Sequence, residues 1–440
     1  MGMKLHGTME INKLGHLVIG GCDTVELAAY YGTPLYVMDE QHLRDVCLDY
    51  YRSFPGQYPN TEVIYASKAF MNLAMAKIVA EEKLGLDVVS GGELFTALKA
   101  GFPAERIYFH GNNKSLEEIE FGVRRKVGRF VVDNLTELED LNRIAAENGS
   151  RVKVLLRIQP GIEAHTHEYI QTGQIDSKFG MAIATGQAME IVRRAYNSEA
   201  LELKGIHCHI GSQIFEIDSF RHTAEVMMGF MKQIKDEIGL NLAELNLGGG
   251  FGIYYKEGDS PAPINKFADV IMKIIAEKAE SYNLNAPKII IEPGRSIVGT
   301  AGTTLYQVGS VKHIPGIRTY VAVNGGMGDN PRPALYQAKY EAMLANKAGQ
   351  ENEEVVSITG KCCESGDMLI WDIALPQVNS GDILAVSATG AYNYSMSSNY
   401  NRLPRPAVVL VKDGHADIIV VRETYDDLLR NDLIPDRMRG

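Results

Sequence analysis

Between residues 62 and 295 short apolar runs alternate with segments whose apolar residues recur at helical spacing. The runs are Val63–Ser67, Leu86–Ser90, Arg106–His110, Arg129–Val132, Val152–Ile158, Leu203–His209, Glu244–Leu247 and Ile289–Glu292. The segments between them include Met71–Glu82, Gly92–Ala100, Ser115–Val123, Leu135–Asn148, Gly186–Tyr196, Ser219–Gly239 and Lys266–Tyr282. Eight strands in alternation with helices predict an α/β fold, a (β/α)8 TIM barrel.

After Arg295 the rhythm changes to strand-like runs: Thr304–Lys312, Arg318–Asn324, Val355–Thr359, Leu369–Ala374, Asp382–Ser387, Ala407–Val411 and Asp417–Val421. Turns such as Asn379-Ser380-Gly381 and Lys412-Asp413-Gly414 separate them, so an all-β C-terminal domain, sandwich-like or barrel-like, is expected. Ahead of the barrel, Leu17-Val18-Ile19 and Pro34–Met38 have the same β-character and are expected to join it; a helical pattern follows through Leu43, Val46, Cys47 and Tyr50. The expected division is 1–45 with the β-domain, 46–300 as the barrel and 301–440 as the C-terminal β-domain.

Composition narrows the partners. The chain has 440 residues, 45% hydrophobic and 22% charged, which suits a globular protein of two or three domains. Its net charge of −11 comes with no basic block, so nucleic acid and anionic membrane are poor partners. Five cysteines without a CxxC pair suggest neither a disulfide framework nor a zinc cluster. Residues 1–12 lack the apolar core of a signal peptide, and no run is long enough to span a bilayer. A reducing cytoplasm is the expected location.

In such a barrel, residues at the carboxyl ends of the strands face one mouth. There the sequence places Lys68, Asp87, Ser90, His110, Arg157, His209, Ser212, Gly248-Gly249-Gly250 and Glu292. So many ionisable groups at equivalent positions exceed what core packing needs. Lys68 closes the apolar stretch Ile64–Ala66, and a lysine in a dry site can form an imine with an aldehyde. Taken alone, the stretch reads more readily as a solvated lysine in a strand-to-helix turn.

The glycine run after the seventh strand and Glu292-Pro293-Gly294-Arg295 after the eighth occupy the loops where barrels bind phosphate. A packing role for the glycines, and a surface ion pair of Glu292 with Arg295, are the plainer alternatives. Lysine, phosphate cradle and a carboxylate for a ring nitrogen are together the fixtures of pyridoxal 5′-phosphate. His207-Cys208-His209 could present two imidazoles to a metal, but Ser212-Gln213 are poor further ligands, and no metal is expected. In the β-domain, Gly360–Asp367 puts a thiol beside a carboxylate, which could serve as an acid, although taken alone it reads more readily as two packed cysteines. Gly390–Met396 reads as the start of a helix.

On these residues the chain resembles the fold type III pyridoxal-phosphate decarboxylases, with their alanine racemase-like barrel, from about Pro34 to about Pro406. Tyr65-Ala-Ser-Lys68, Asp87-Val-Val-Ser-Gly-Gly-Glu93, His209-Ile-Gly-Ser212-Gln213, Gly248–Gly252 and Glu292–Arg295 carry the family likeness. His165–Gly173, Ser177–Gly180, Cys363-Glu-Ser-Gly-Asp367 and Gly390-Ala-Tyr392 with Ser398–Asn401 are similar to its diaminopimelate branch. Gln159 stands where the family usually has Asn, and Lys361 where it usually has Pro.

The resemblance implies pyridoxal 5′-phosphate as cofactor and Lys68 as its covalent anchor. It implies His209 stacked on the ring, Glu292 at the ring nitrogen, and Ser212, Gly248, Gly249, Gly250 and Gly294 around the phosphate. Asp87, Arg295 and Tyr392 also belong to the cofactor set. Arg295, Arg332, Tyr336 and Tyr392 would hold substrate, with Glu364 at the distal ammonium and Cys363 as proton donor. Cys363 and Glu364 would come from the partner subunit of a homodimer with shared sites. The implied reaction is decarboxylation of meso-2,6-diaminopimelate to L-lysine, the last step of lysine biosynthesis by the diaminopimelate route. A lysine or ornithine decarboxylase, or a non-catalytic cofactor-holding regulator, are the alternatives. The sequence does not say whether the loop around Glu163–Thr172 closes over the site.

Overall fold

The computed structural model describes residues 3–161 and 176–439; both His165–Gly173 and the loop Glu163–Thr172 fall outside them. The chain divides into two compact units. One comprises Arg44–Tyr254 and Asp259–Ile297, the other Met1–Leu43, Tyr255–Gly258 and Val298–Gly440.

The first unit is the expected barrel. Its strands are β1 (Thr61–Ala66), β2 (Gly85–Val88), β3 (Ile107–Phe109), β4 (Arg129–Val132), β5 (Val152–Gln159), β6 (Leu201–His207), β7 (Glu244–Asn246) and β8 (Lys288–Ile291). Every neighbouring pair is parallel, and β8 pairs with β1 to close the cylinder. Ile64, Tyr108, Val131, Leu155 and Ile290 form a layer of its interior, each at most 2% exposed. Burying a side chain of this kind contributes about 1.5–3 kcal/mol, so this layer alone is a substantial part of what closes the barrel.

The amino ends of the strands are tied by charge. Arg129, first in β4, gives a bidentate bond to Glu244, first in β7, at 2.6 and 2.9 Å. Glu62 of β1 accepts from Tyr108 at 2.8 Å and pairs with Lys288. This end of the barrel therefore satisfies its own charges, and the unsatisfied polar groups collect at the other.

The β-unit is organised on a nine-stranded sheet whose main path runs Met368–Leu375, Glu354–Thr359, Arg318–Val323, Gly302–Ile314, Leu35–Asp39, Ala407–Lys412 and His415–Val420; off it, Ile383–Val386 pairs with both Gly302–Ile314 and Ala342–Leu344. The N-terminal strand Leu35–Asp39 lies antiparallel to Gly302–Ile314 and parallel to Ala407–Lys412. Leu35–Asp39 thus shares a sheet with C-terminal sequence, as its β-character predicts, whereas Leu17–Ile19 pairs in a separate three-stranded sheet with Glu10–Ile11 and Cys22–Asp23. Leu17, Ile19, Leu35, Val37, Leu305 and Val409 share one core.

Two local features differ from the sequence reading. Between Leu17–Ile19 and Leu35–Asp39 lies a helix that the reading did not single out, Thr24–Tyr31, whose N-cap Asp23 accepts from Val25 N–H. Gly390–Met396 does not start a helix: Tyr392 sits at φ +60°, in the left-handed region, and only the short 3-10 turn Tyr394–Met396 follows. A non-glycine residue there interrupts right-handed propagation. Among the described residues no helix is long and apolar enough to cross a membrane.

Candidate active site

The carboxyl ends of the barrel strands converge on one buried carboxylate. Glu292, directly after β8, is 7% exposed. Its Oε1 accepts from Asn246 Nδ2 at 2.7 Å and its Oε2 from His207 Nε2 at 3.2 Å. His110 Nε2 lies 2.9 Å from Oε1. Burial opposes ionisation, but His110 and His207 outweigh it and hold Glu292 well below the usual carboxylate range. His207 itself is pushed down to about 4 by burial, against the pull of Glu292, so its neutral ring gives the Nε2–H to the carboxylate. Glu292 is therefore no surface partner of Arg295, whose guanidinium donates instead to Ser212 Oγ at 2.9 and 3.2 Å.

Asp87, at the end of β2, behaves in the opposite way. Burial pushes it up to about 6; His110 opposes that rise and Glu292 adds to it. Its Oδ1 has no hydrogen-bond partner and lies 3.9 Å from His110 Nε2. Two carboxylates flank one imidazole, and their environments drive their affinities for a proton apart. That separation is a mark of acid–base and ligand sites.

Lys68 lies in the 3-10 turn Ser67–Ala69 that caps β1. It is exposed, between buried Ser67 and Ala69. The expected dry setting is not what surrounds it: the backbone is packed, while the side chain leaves the end of the strand. Its charge nonetheless reaches Asp87, Glu93 and His209. His209 is held well below the usual imidazole range by burial first, then by Lys68 and Arg157. Its Nδ1 accepts from Gly249 N–H at 3.2 Å, which places the ring proton on Nε2.

The glycine run has a packing role. A Cβ on Gly249 would fall under 3.0 Å from the Glu292 carbonyl oxygen, and on Gly248 under 3.0 Å from that of Cys208. Of the three amides expected to face a phosphate, Gly248 N–H is given to Asn246 Oδ1 at 2.9 Å and Gly249 N–H to His209. Gly294 is buried at the same rim. Ser90, read from the sequence as a mouth residue, is a helix cap: its Oγ accepts from Glu93 N–H at 3.2 Å. The Ser-x-x-Glu spacing was the signal for that role. Arg157 is buried, 4.2 Å above the Phe179 ring and 3.9 Å from Asp133.

His207 and His209 have different partners and so do not form a ligand pair. Among the described residues His110, His207 and Glu292 do bring donor atoms within 4.8 Å of one another, at hydrogen-bonding separations. The sequence did not single out Asn246. A buried amide in a three-residue strand carries no pattern of its own, yet it connects the glycine run to Glu292. An ionised buried carboxylate, an unpartnered acid and a projecting lysine fit a group with a basic ring nitrogen and an aldehyde. The chemistry of these donors thus accommodates pyridoxal phosphate.

The β-unit holds a second set. Arg332 is buried, donates to Tyr340 Oη at 2.5 Å, and lies 4.8 Å over the Tyr255 ring. Burial opposes its charge but Tyr255 and Tyr340 raise its affinity for the proton overall. Tyr340 donates to Asn393 Oδ1 at 3.3 Å, and Asn393 donates to the Thr389 carbonyl at 3.0 Å. Arg332 is thereby tied to the turn that carries Tyr392, through residues the sequence reading missed. Tyr336 ends the same short helix as Arg332, half-buried. Cys363 and Glu364 are exposed on the loop after Glu354–Thr359, and Cys362 beside them is half-buried, so these cysteines are not a packed pair.

The model of the pyridoxal binding domain of pyridoxal-dependent decarboxylases matches residues 44–299. A diaminopimelate decarboxylase of Bacillus subtilis (strain 168) is 54% identical over 431 residues, 98% of each chain. The diaminopimelate decarboxylase of M. jannaschii, solved in complex with L-lysine, superimposes with a TM-score of 0.92 at 38% identity, covering 98% of this chain and 99% of that one. A lysine/ornithine decarboxylase from Vibrio vulnificus, complexed with putrescine, shares the fold with a TM-score of 0.75 at 22% identity, covering 88% and 98%.

Proposed function

The chain belongs to the pyridoxal-dependent decarboxylases, in their diaminopimelate decarboxylase branch, and from that premise we propose the following roles for its residues. The protein is a carboxy-lyase that uses pyridoxal 5′-phosphate to convert meso-2,6-diaminopimelate to L-lysine and carbon dioxide, the last step of lysine biosynthesis by that route. The observation that carries the site assignment is the buried, ionised Glu292 between His110, His207 and Asn246.

When bound, the cofactor supplies a sink for the electrons of the breaking Cα–carboxylate bond. Lys68 would hold its aldehyde carbon. Glu292 would keep a proton on the ring nitrogen, which is what an anion in a dry site does best. His209 would lie against the ring face, Asp87 beside it, and Ser212 with Gly248, Gly249, Gly250 and Gly294 would surround the phosphate. Two of those amides are already engaged, which favours Ser212 and Arg295 as the main phosphate-side donors. Arg295, Arg332 and Tyr336 would grip the distal carboxylate, with Tyr392 between substrate and cofactor. A diamine-forming relative has no second carboxylate to hold, so this grip supports diaminopimelate over lysine or ornithine.

Glu364 would meet the distal ammonium, and Cys363 would return the proton to Cα. Both side chains are exposed in the single chain, which supports a homodimer in which they serve the partner's site. The proposed location is the cytoplasm. The test is carbon dioxide release from meso-diaminopimelate, L-lysine and L-ornithine by the purified protein, with its visible spectrum followed as each is added. Release from meso-diaminopimelate with a change in the imine band is expected. Preference for a substrate lacking a second carboxylate would overturn the assignment.

A further inference from the structure

The loop that carries Cys363 and Glu364 is held by a residue outside the roles above. Asp367 is buried at 3% exposure. Its Oδ2 accepts from Cys362 N–H at 2.8 Å and its Oδ1 from Met327 N–H at 2.6 Å. Its own backbone closes the loop, accepting from Gly360 N–H at 2.9 Å and donating to the Glu364 carbonyl at 3.1 Å. One carboxylate therefore joins the cysteine loop to the segment 325–331 that leads into the helix of Arg332.

Two glycines make room for it. A Cβ on Gly326 or on Gly360 would meet the Asp367 carboxylate at under 3.0 Å. Neither glycine has a positive φ, so the requirement there is space and not backbone conformation. Cys363 N–H is given to Asn401 Oδ1 at 2.7 Å, which fixes the other side of the loop. Carboxylate bonds to backbone N–H groups are charge-assisted and directional, and a buried pair of them leaves a loop little freedom.

We propose that Asp367 is a positioning residue for the reaction: its carboxylate, seated between Gly326 and Gly360, sets the placement of Cys363 and Glu364 relative to Arg332. The proposal rests on the roles assigned to those three residues. A displacement of about 1 Å at such groups is enough to cost on the order of a hundredfold in rate.

The test is a double-mutant cycle on the full-length holoenzyme, with Asp367→Ala, Gly360→Ala and the two combined. Amide hydrogen exchange is followed by mass spectrometry, and kcat, KM and cofactor absorbance are measured alongside. Either single change should speed exchange at both 325–329 and 360–364, by about tenfold or more. Each should lower kcat by about 10- to 100-fold while the visible cofactor band stays. Gly360→Ala should add nothing once Asp367 is Ala, because the added methyl then meets no carboxylate. Additive effects, or faster exchange in only one segment, would overturn the proposal. So would faster exchange in both with kcat intact. If Asp367→Ala does not fold, Asp367→Asn keeps one acceptor, and Gly360→Ala probes the same carboxylate from the other side. If Cys363→Ala and Glu364→Gln leave turnover unchanged, the underlying role assignment fails, whatever the exchange data show.

Discussion

The barrel mouth and the cysteine loop treat their reactive groups in opposite ways. In the mouth, Glu292, His207, His110 and Asp87 are buried, and each bears on another through a bond or a charge. In the loop, Cys363 and Glu364 are exposed, and what is fixed is the backbone behind them, through Asp367 and Asn401. The difference matches the roles proposed for each. A group that holds a proton on a bound ring needs a low dielectric and fixed partners. A group that must meet an incoming substrate has to remain reachable, so its precision comes from its support.

Breaking the mouth should cost most. Lys68→Ala is expected to abolish both the imine absorbance and turnover; a variant with normal absorbance and full activity would remove Lys68 from its role. Breaking the loop should cost less and leave the mouth untouched. Cys363→Ala is expected to lower kcat by about a hundredfold with the cofactor band unchanged, because water or Lys68 can return the proton slowly. Loss of the cofactor band in that variant would show that the two regions are not separable in this way.

The smallest expected effects are on stability, and they differ in sign. His207 is pushed from 6.5 to about 4 by burial, so the folded chain binds fewer protons than the unfolded one between those values. Its contribution is complete above about 6.5 and is lost as pH falls towards 4. Asp329 is raised from 3.8 to about 7, chiefly by burial. It binds more protons when folded, so its contribution is complete below 3.8 and is lost as pH rises through 7. His207→Gln should flatten the acid limb of denaturant-derived stability and Asp329→Asn the rising limb, each by on the order of 1–3 kcal/mol. His6, also pushed to about 4 by burial, leaves part of the acid limb in place. Unchanged slopes in both variants would contradict these environments.

The barrel was legible because each strand is a short apolar run set between segments of helical period, and eight repeats of that alternation leave few alternatives. Glu292 and Lys68 stood out as charged residues closing such runs. Asn246 and Tyr340 did not, since a buried amide and a buried tyrosine acquire meaning only from what they touch. Ser90 shows the converse: position at a strand end suggested chemistry, while the Glu three residues on made it a cap. Tyr392 was legible as a residue but not as a conformation, because its left-handed turn follows no periodicity.

The claim that joins the two regions is that a working site takes its lysine from one chain and its thiol from another. Purified mixed dimers of Lys68→Ala and Cys363→Ala subunits test it, with carbon dioxide release from meso-diaminopimelate as the readout. In a two-fold dimer with shared sites, one site of each mixed dimer is intact, so activity should recover to about half that of the unmodified protein. Activity no higher than the residue left by Cys363→Ala alone, in a verified mixed dimer, would contradict it.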